Sequence, residues 1–266
     1  MKQARIDLIK NNYMVNDTFG VIDEVEIPVL ASQFDVSETT IKKDLKELGC
    51  IIYRRKPPKI KELNYYMKEL DGLKLKIEKR MPSYVQNKSV RKLIGDTLWG
   101  KVREVILEQN NCCCSACGYM TDDLKGLHVH EEWEIDEDNH VIKLAGLLLL
   151  CRTCHSMQHM EYTYFGVVKQ KGKSEWEKVV HKLNIHFMKV NQCTQEILVA
   201  SKSLSSKRHV LDKLPKFETA EQLQQHFDKQ KQLQKANWSY SLYSDMPLRE
   251  AVAEALQRKV TVLVHP

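Results

Sequence analysis

The chain has 266 residues, 42% of them hydrophobic and 29% charged, and its 41 lysines and arginines against 35 acidic residues give a formal net charge of +6. That length and apolar fraction allow a buried core and suit two modules better than one. The first thirty residues lack an apolar run and no stretch is long enough to span a bilayer, which excludes secreted and membrane classes and leaves the expectation of a cytoplasmic protein with reduced cysteines.

Ile6, Leu8 and Ile9 predict a first helix, and Ile27-Pro-Val-Leu-Ala-Ser-Gln-Phe34 a short second one with Pro28 in its first turn. Ser37 is a good N-cap for the next helix. There Ile41, Leu45 and Leu48 fall at helical spacing, which buries one stripe and leaves Thr39, Thr40, Lys42, Lys43 and Lys46 outside. Gly49 ends that helix, and Ile51-Ile-Tyr-Arg54-Arg55-Lys reads as a strand ending in a basic wing. Residues 42 to 61 carry eight Lys or Arg against Asp44 and Glu47, a local excess where phosphate contacts are expected. Residues 1–58 resemble a DeoR-type winged helix-turn-helix. The resemblance implies a DNA partner, contacted by Thr39, Thr40, Lys42, Lys43 and Lys46 on the recognition helix and by Arg54 and Arg55 on the wing. A structural or dimerisation helix pair is the alternative, and a homodimer stays open.

Pro57-Pro58 opens a linker and connecting helix over 59–95, with Leu63, Met67, Leu70, Leu73 and Leu75 only loosely periodic. Trp99, Val102, Val105 and Ile106 then mark an amphipathic helix that leads into the cysteines. Cys114-x2-Cys117 and Cys151-x2-Cys154, 33 residues apart, supply four thiolates in two knuckles, the donor set of a closed structural zinc site. Cys113 with Cys117 is a competing pairing; Gly118 suits a knuckle turn directly after Cys117. Between the pairs, His128 and His130 alternate in an expected strand and so point to one side. His155 and His159 lie four apart, on one face of a helix starting at the second knuckle. Strand and helix facing each other bring three or four nitrogens together and leave an ion there an open position for water or a phosphate oxygen.

The run Trp99-Gly-Lys-Val-Arg-Glu-Val-Ile-Leu, Cys114-Ser-Ala-Cys117-Gly, Leu127-His-Val-His130 and Leu150-Cys-Arg-Thr-Cys-His155-Ser-Met-Gln-His159 resembles the HNH nuclease superfamily. The resemblance implies an α+β fold with a zinc-stapled ββα-metal module over 96–165. It also implies phosphodiester hydrolysis with one catalytic Mg2+, Mn2+ or Ni2+ ion held by His130, His155 and His159. Glu131 stands where the family keeps its histidine base, in the variant His130-Glu-Glu-Trp133. Two assignments follow: Glu131 as general base, or His130 as base with the ion held mainly by His155 and His159. The family's Asn falls near Gly146 by register. Asn139 is a weak candidate for orienting the base, with a turn role in Asp-Glu-Asp-Asn favoured.

Residues 166–266 read as a mainly helical extension. Trp176, Val179, Val180, Leu183, Phe187 and Val190 fit helices, and His181 and His186 fit packing or surface roles. The segment His186-Phe-Met-Lys-Val-Asn191 resembles one that follows the core in the His-Glu-x-Trp branch. Gln-rich 222–235 fits a solvated helix or linker, and 238–258, with Trp238, Tyr240, Leu242 and Tyr243, a small cap. Two functions remain: a metal-dependent DNA endonuclease placed by its N-terminal module, or a non-catalytic DNA-binding regulator in which zinc is only a scaffold.

Overall fold

The computed structural model describes residues 2–78, 81–82, 84–86, 88–213 and 219–263, with residues 206–213 by backbone alone. In chain order the elements are α1 (Lys2–Tyr13), β1 (Met14–Asn16), β2 (Phe19–Asp23), α2 (Glu26–Gln33), α3 (Glu38–Glu47), β3 (Cys50–Tyr53), α4 (Met67–Asp71), α5 (Val90–Ile94), α6 (Asp96–Gln109), β4 (Leu127–Asp136), β5 (Val141–Cys151), α7 (Arg152–Gln158), α8 (Met160–Lys171), α9 (Lys173–Asn191), α10 (Gln195–Lys213), α11 (Ala220–Lys235), β6 (Ser239–Leu242), α12 (Arg249–Gln257) and β7 (Thr261–Leu263). The fold is α+β with two mixed sheets. Among the described residues no helix is long and apolar enough to cross a membrane.

The chain folds into two units, each built from two separated segments: Met1–Glu78 with Ser156–Lys207, and Lys79–His155 with Arg208–Pro266. The segments drawn from sequence at 58, 95 and 165 therefore regroup. Much of the expected C-terminal extension belongs with the N-terminal module, and its last part belongs with the cysteine module.

In the first unit, α2 and α3 form as the sequence dictates. Pro28 sits in the first turn of α2. The Ser37 hydroxyl accepts from the Thr40 N–H at 3.2 Å and so satisfies one of the free donors at the start of α3. Ile41 and Leu45 are fully buried with Ile9, Ile22, Ile27 and Leu30 in one apolar core. Gly49 follows the helix at φ +73°, and a side chain there would come within 2.3 Å of the Thr18 carbonyl oxygen, so both conformation and space require glycine. Asp44 departs from the expected stripe: it is buried and paired with buried Arg5 of α1.

The basic run after β3 forms no further strand among the described residues. Among the described residues β3 is a sheet edge with β2 as its one neighbour, in parallel register from Gly20 with Cys50 to Asp23 with Tyr53. Beyond it, the Gln195 side chain pairs with both backbone groups of Arg54, accepting from its N–H at 3.1 Å and donating to its carbonyl at 2.5 Å. The Arg55 N–H donates to Glu24 at 2.7 Å. Side chains thus satisfy the backbone that a wing strand would have paired.

In the second unit, β4 and β5 form a long antiparallel hairpin from Leu127 with Cys151 to Asp136 with Val141, irregular between Glu132 and Trp133. Its tip is tied by Asp136, which accepts from the backbone of Asp138 and Asn139 and from the Asn139 amide at 2.7 Å. The sheet does not stop at the hairpin: β6 adds parallel to β5, and β7 parallel to β6. The expected cap around Trp238 and Tyr240 is therefore partly sheet. Tyr240, Ser241 and Leu242 are all buried, so this strand lacks the in-out alternation that reveals strands in sequence.

Candidate metal centre

The cysteine knuckles assemble from local hydrogen bonds. The Gly118 N–H donates to the Cys114 carbonyl at 2.8 Å and the Cys114 N–H to the Tyr119 carbonyl at 2.9 Å, with Gly118 at φ +72° in the turn. Ser115 ties this knuckle to β5, its N–H donating to the Leu149 carbonyl at 2.7 Å. The second knuckle lies where β5 passes into α7, and there the Cys154 N–H donates to the Cys151 Sγ at 3.5 Å.

The Sγ atoms of Cys114, Cys117, Cys151 and Cys154 lie within 4.8 Å of one another, and Cys117 and Cys151 are 3.8 Å apart. A tetrahedron with zinc–sulfur bonds of about 2.3 Å has edges of about 3.8 Å, so this group can hold a structural ion such as zinc. Of the competing pairings, the structure uses Cys114; the Cys113 thiol donates instead to the Asn111 carbonyl. Crowding shows in the acidities. Hydrogen bonds from the other three thiols pull the pKa of Cys114 far down, making it the more acidic thiol, and the pKa of Cys154, which donates, is pushed up. Four sulfurs this close cannot all ionise without a cation among them.

His130, His155 and His159 form a second group, with one nitrogen of each within 4.8 Å of the others. His130 comes from β4 and is buried, His155 from α7, and His159 from the turn that closes α7. A shell with metal–nitrogen bonds of about 2.1 Å is about 4 Å across, so the group has the size of one ion's shell. His128 shares the strand face of His130, and its ring stacks on His155, centroids 5.0 Å apart and planes 9° from parallel. Burial, followed by the charges of Arg152, Arg103 and Arg91, holds His128 below the usual histidine range. These arginines escaped the reading of the sequence, because nothing in their spacing links positions 91, 103 and 152.

Glu131 is not in this group. It leaves the strand on the opposite side from His130, and its carboxylate accepts from the Arg91 backbone N–H at 3.0 Å. Burial pushes its pKa above the usual carboxylate range, against the hydrogen bond from Arg91 and the nearby positive charge. Asn139 lies at the hairpin tip, spent on Asp136. Gly146 faces Glu132, whose carboxylate occupies the space a side chain at 146 would need.

Of the residues expected to touch DNA, Thr39, Lys42, Lys43, Lys46, Arg54 and Arg55 are exposed, and Thr40 is half-buried beside the Ser37 hydroxyl. Lys42 pairs with Glu38 at 2.9 Å, an exposed pair that holds its charge weakly, and exposed Arg55 lies 3.6 Å from the mostly buried carboxylate of Asp23. Burial of Asp44 against Arg5 takes one acidic group off the outer face of α3.

Comparison of the chain with models of protein families, with curated proteins and with solved structures gave no match.

Proposed function

We propose that the chain is a metal-dependent endonuclease of the HNH type, hydrolysing phosphodiester bonds in DNA. The observation that carries this reading is the three-histidine group standing apart from, and next in sequence to, a four-thiol group already sufficient for a structural ion. A scaffold needs the thiols and has no use for His130, His155 and His159 converging a second time.

A Mg2+, Mn2+ or Ni2+ ion held there would supply Lewis-acid stabilisation of the charge that develops on the phosphate oxygens. The protein's own part is positioning and proton transfer. His130 is on the histidine side of the strand and Glu131 on the other, which favours His130 as the group that takes the proton from the attacking water, with His155 and His159 as the main metal ligands. In-line attack forms the new P–O bond as the bond to the 3′-oxygen breaks. The exposed cations of α3 would hold the substrate backbone.

Plasmid nicking by zinc-loaded protein with added Mg2+ or Mn2+ tests the assignment. His130→Ala and His155→Ala are each expected to lower the rate by at least about a hundredfold. Undiminished cleavage in either variant overturns it, and binding without cleavage in the wild type marks the chain as a DNA-binding regulator. Replacing Lys42 and Lys43 by Ala is expected to weaken DNA binding and to reduce its salt slope by about two; an unchanged slope removes α3 from the interface.

A further inference from the structure

One helix of the first unit turns an aromatic face to solvent. α8 is twelve residues long, and not one of them is buried. Its start is nevertheless fixed to the histidine group. His159 is its N-cap, the Thr163 N–H donates to the His159 carbonyl at 2.9 Å, and the Thr163 hydroxyl donates to the Ser156 carbonyl at 3.0 Å. One side of α8 rests on α9, where the Tyr164 ring meets Trp176 edge-on with centroids 5.3 Å apart.

Tyr162, Phe165 and Lys169 share another side, at i, i+3 and i+7. Tyr162 is 82% exposed and Phe165 57%, and the Phe165 ring is steadied edge-on by Tyr164 at 5.3 Å. Gly166 lies on the same face, and a side chain there would meet no atom within 4 Å. Lys169, Lys171 and Lys173 follow, all exposed and none ion-paired among the described residues. A single exposed apolar side chain needs no explanation. Two rings one turn apart, with lysines after them and a histidine of the metal group before them, form a pattern.

The size of the face decides between occupants. Two rings so exposed offer about 200–350 Å2, well short of the roughly 800 Å2 per partner that a stable protein interface buries. An unpaired nucleobase needs far less, because every base has a π-face that stacks on an aromatic ring and lysines hold the phosphates between bases. Bases inside a duplex already stack on one another, so the face suits a single strand. We propose that Tyr162 and Phe165 form a stacking platform for unpaired bases, with Lys169 on the intervening phosphate, and that the DNA reaching His159 is single-stranded. Tyr162 stands about 5 Å and Phe165 about 9 Å along the helix axis from His159, so bases stacked there belong to nucleotides close to the phosphate at the histidine group. The inference rests on the nuclease reading for that phosphate as the scissile one.

Anisotropy of fluorescein-labelled oligonucleotides, with zinc-loaded full-length protein and no other divalent ion, tests it. Tyr162→Ala and Phe165→Ala are each expected to weaken binding of a mixed-sequence single strand about tenfold and to change binding of the matching duplex less than about twofold. Tyr162→Trp should keep the single-strand affinity and Tyr162→Leu should lose it, because leucine is apolar but has no π-face. A strand of abasic sites should bind the wild type and Tyr162→Ala alike. Both rings are exposed, so urea melts of the variants should match the wild type. Mn2+-dependent cleavage of a single strand should show a raised KM in both alanine variants.

Unchanged single-strand binding by Tyr162→Ala and Phe165→Ala overturns the inference, and the nuclease reading then stands if the wild type cuts DNA. Equal affinity in Tyr162→Leu and Tyr162→Trp overturns it as well, since any apolar side chain would then serve. A wild-type dimer that Tyr162→Ala turns into a monomer, with single-strand affinity intact, gives the face to a second copy of the chain instead. If the wild type cuts nothing while both alanine variants lose single-strand binding, the nuclease reading fails and the platform stands.

Discussion

Lys202 offers a test of the interior of the first unit. Its ammonium donates to Asn184 at 2.6 Å, the Asn184 amide donates to the Tyr53 hydroxyl at 2.7 Å, and that hydroxyl meets His181 Nδ1 at 3.0 Å, a polar chain tying α10 through α9 to β3. Burial lowers Lys202 from 10.5 to about 8. That lowering corresponds to roughly 3 kcal/mol of penalty on the charged form. The folded pKa lies below the unfolded one, so the unfolded chain binds more protons between about pH 8 and 10.5 and stability rises with pH across that window. Below about pH 8 both states are charged and the penalty is felt in full. Lys202→Met keeps the apolar stem and removes the titration. Urea melts of both proteins at pH 7 and 9.5, with metal content held constant, should show the wild type gaining about 2 kcal/mol on the variant between the two values. Groups common to both chains cancel in this difference. A difference that stays constant within about 0.5 kcal/mol would mean that Lys202 is hydrated in the folded protein, and the reasoning from burial would fail.

Asp44→Asn should cost about 3–5 kcal/mol in chemical denaturation by stranding Arg5 in the core, whereas the paired replacement Arg5→Met, Asp44→Leu should recover most of it. Gly49→Ala should lower the melting temperature far more than Gly118→Ala: both sites have positive φ, but only at Gly49 does the new methyl meet backbone, and the expected gap is at least about 1–2 kcal/mol. Metal analysis should find one tightly held zinc that Cys114→Ser or Cys151→Ser loses and Cys113→Ser retains; retention by Cys114→Ser would show that the pairing through Cys113 is used.

Residues whose role is set within one helical turn or one strand were legible in the sequence. Ser37 caps, Gly49 stops a helix, Ile41 and Leu45 bury, and the Cys-x2-Cys pairs and the two histidine pairs carry their geometry in their spacing. What escaped depends on partners distant in the chain. Asp44 looks like a surface charge on α3 until Arg5, 39 residues earlier, is found against it. Glu131 looks like a base by position along the strand, and only the location of α5 reveals what it faces. β6 was hidden because a strand buried on both faces has no alternation to read. The wing was expected from the basic run after β3, but Gln195, 141 residues away from Arg54, takes the hydrogen bonds that a wing strand would make.

The division of the chain into interleaved segments also fixes an order of events during synthesis. The first unit needs residues up to 207, yet its opening segment ends at Glu78. At about 5–20 residues per second, that opening segment waits on the order of ten seconds for the helices that complete it. Meanwhile the cysteines and histidines of 114–155 emerge while α1 to α3 still lack α9 and α10. The early helices must therefore hold together on their own small core around Ile9, Ile22, Ile41 and Leu45, and no cut at a single point in the chain separates one finished unit from the other.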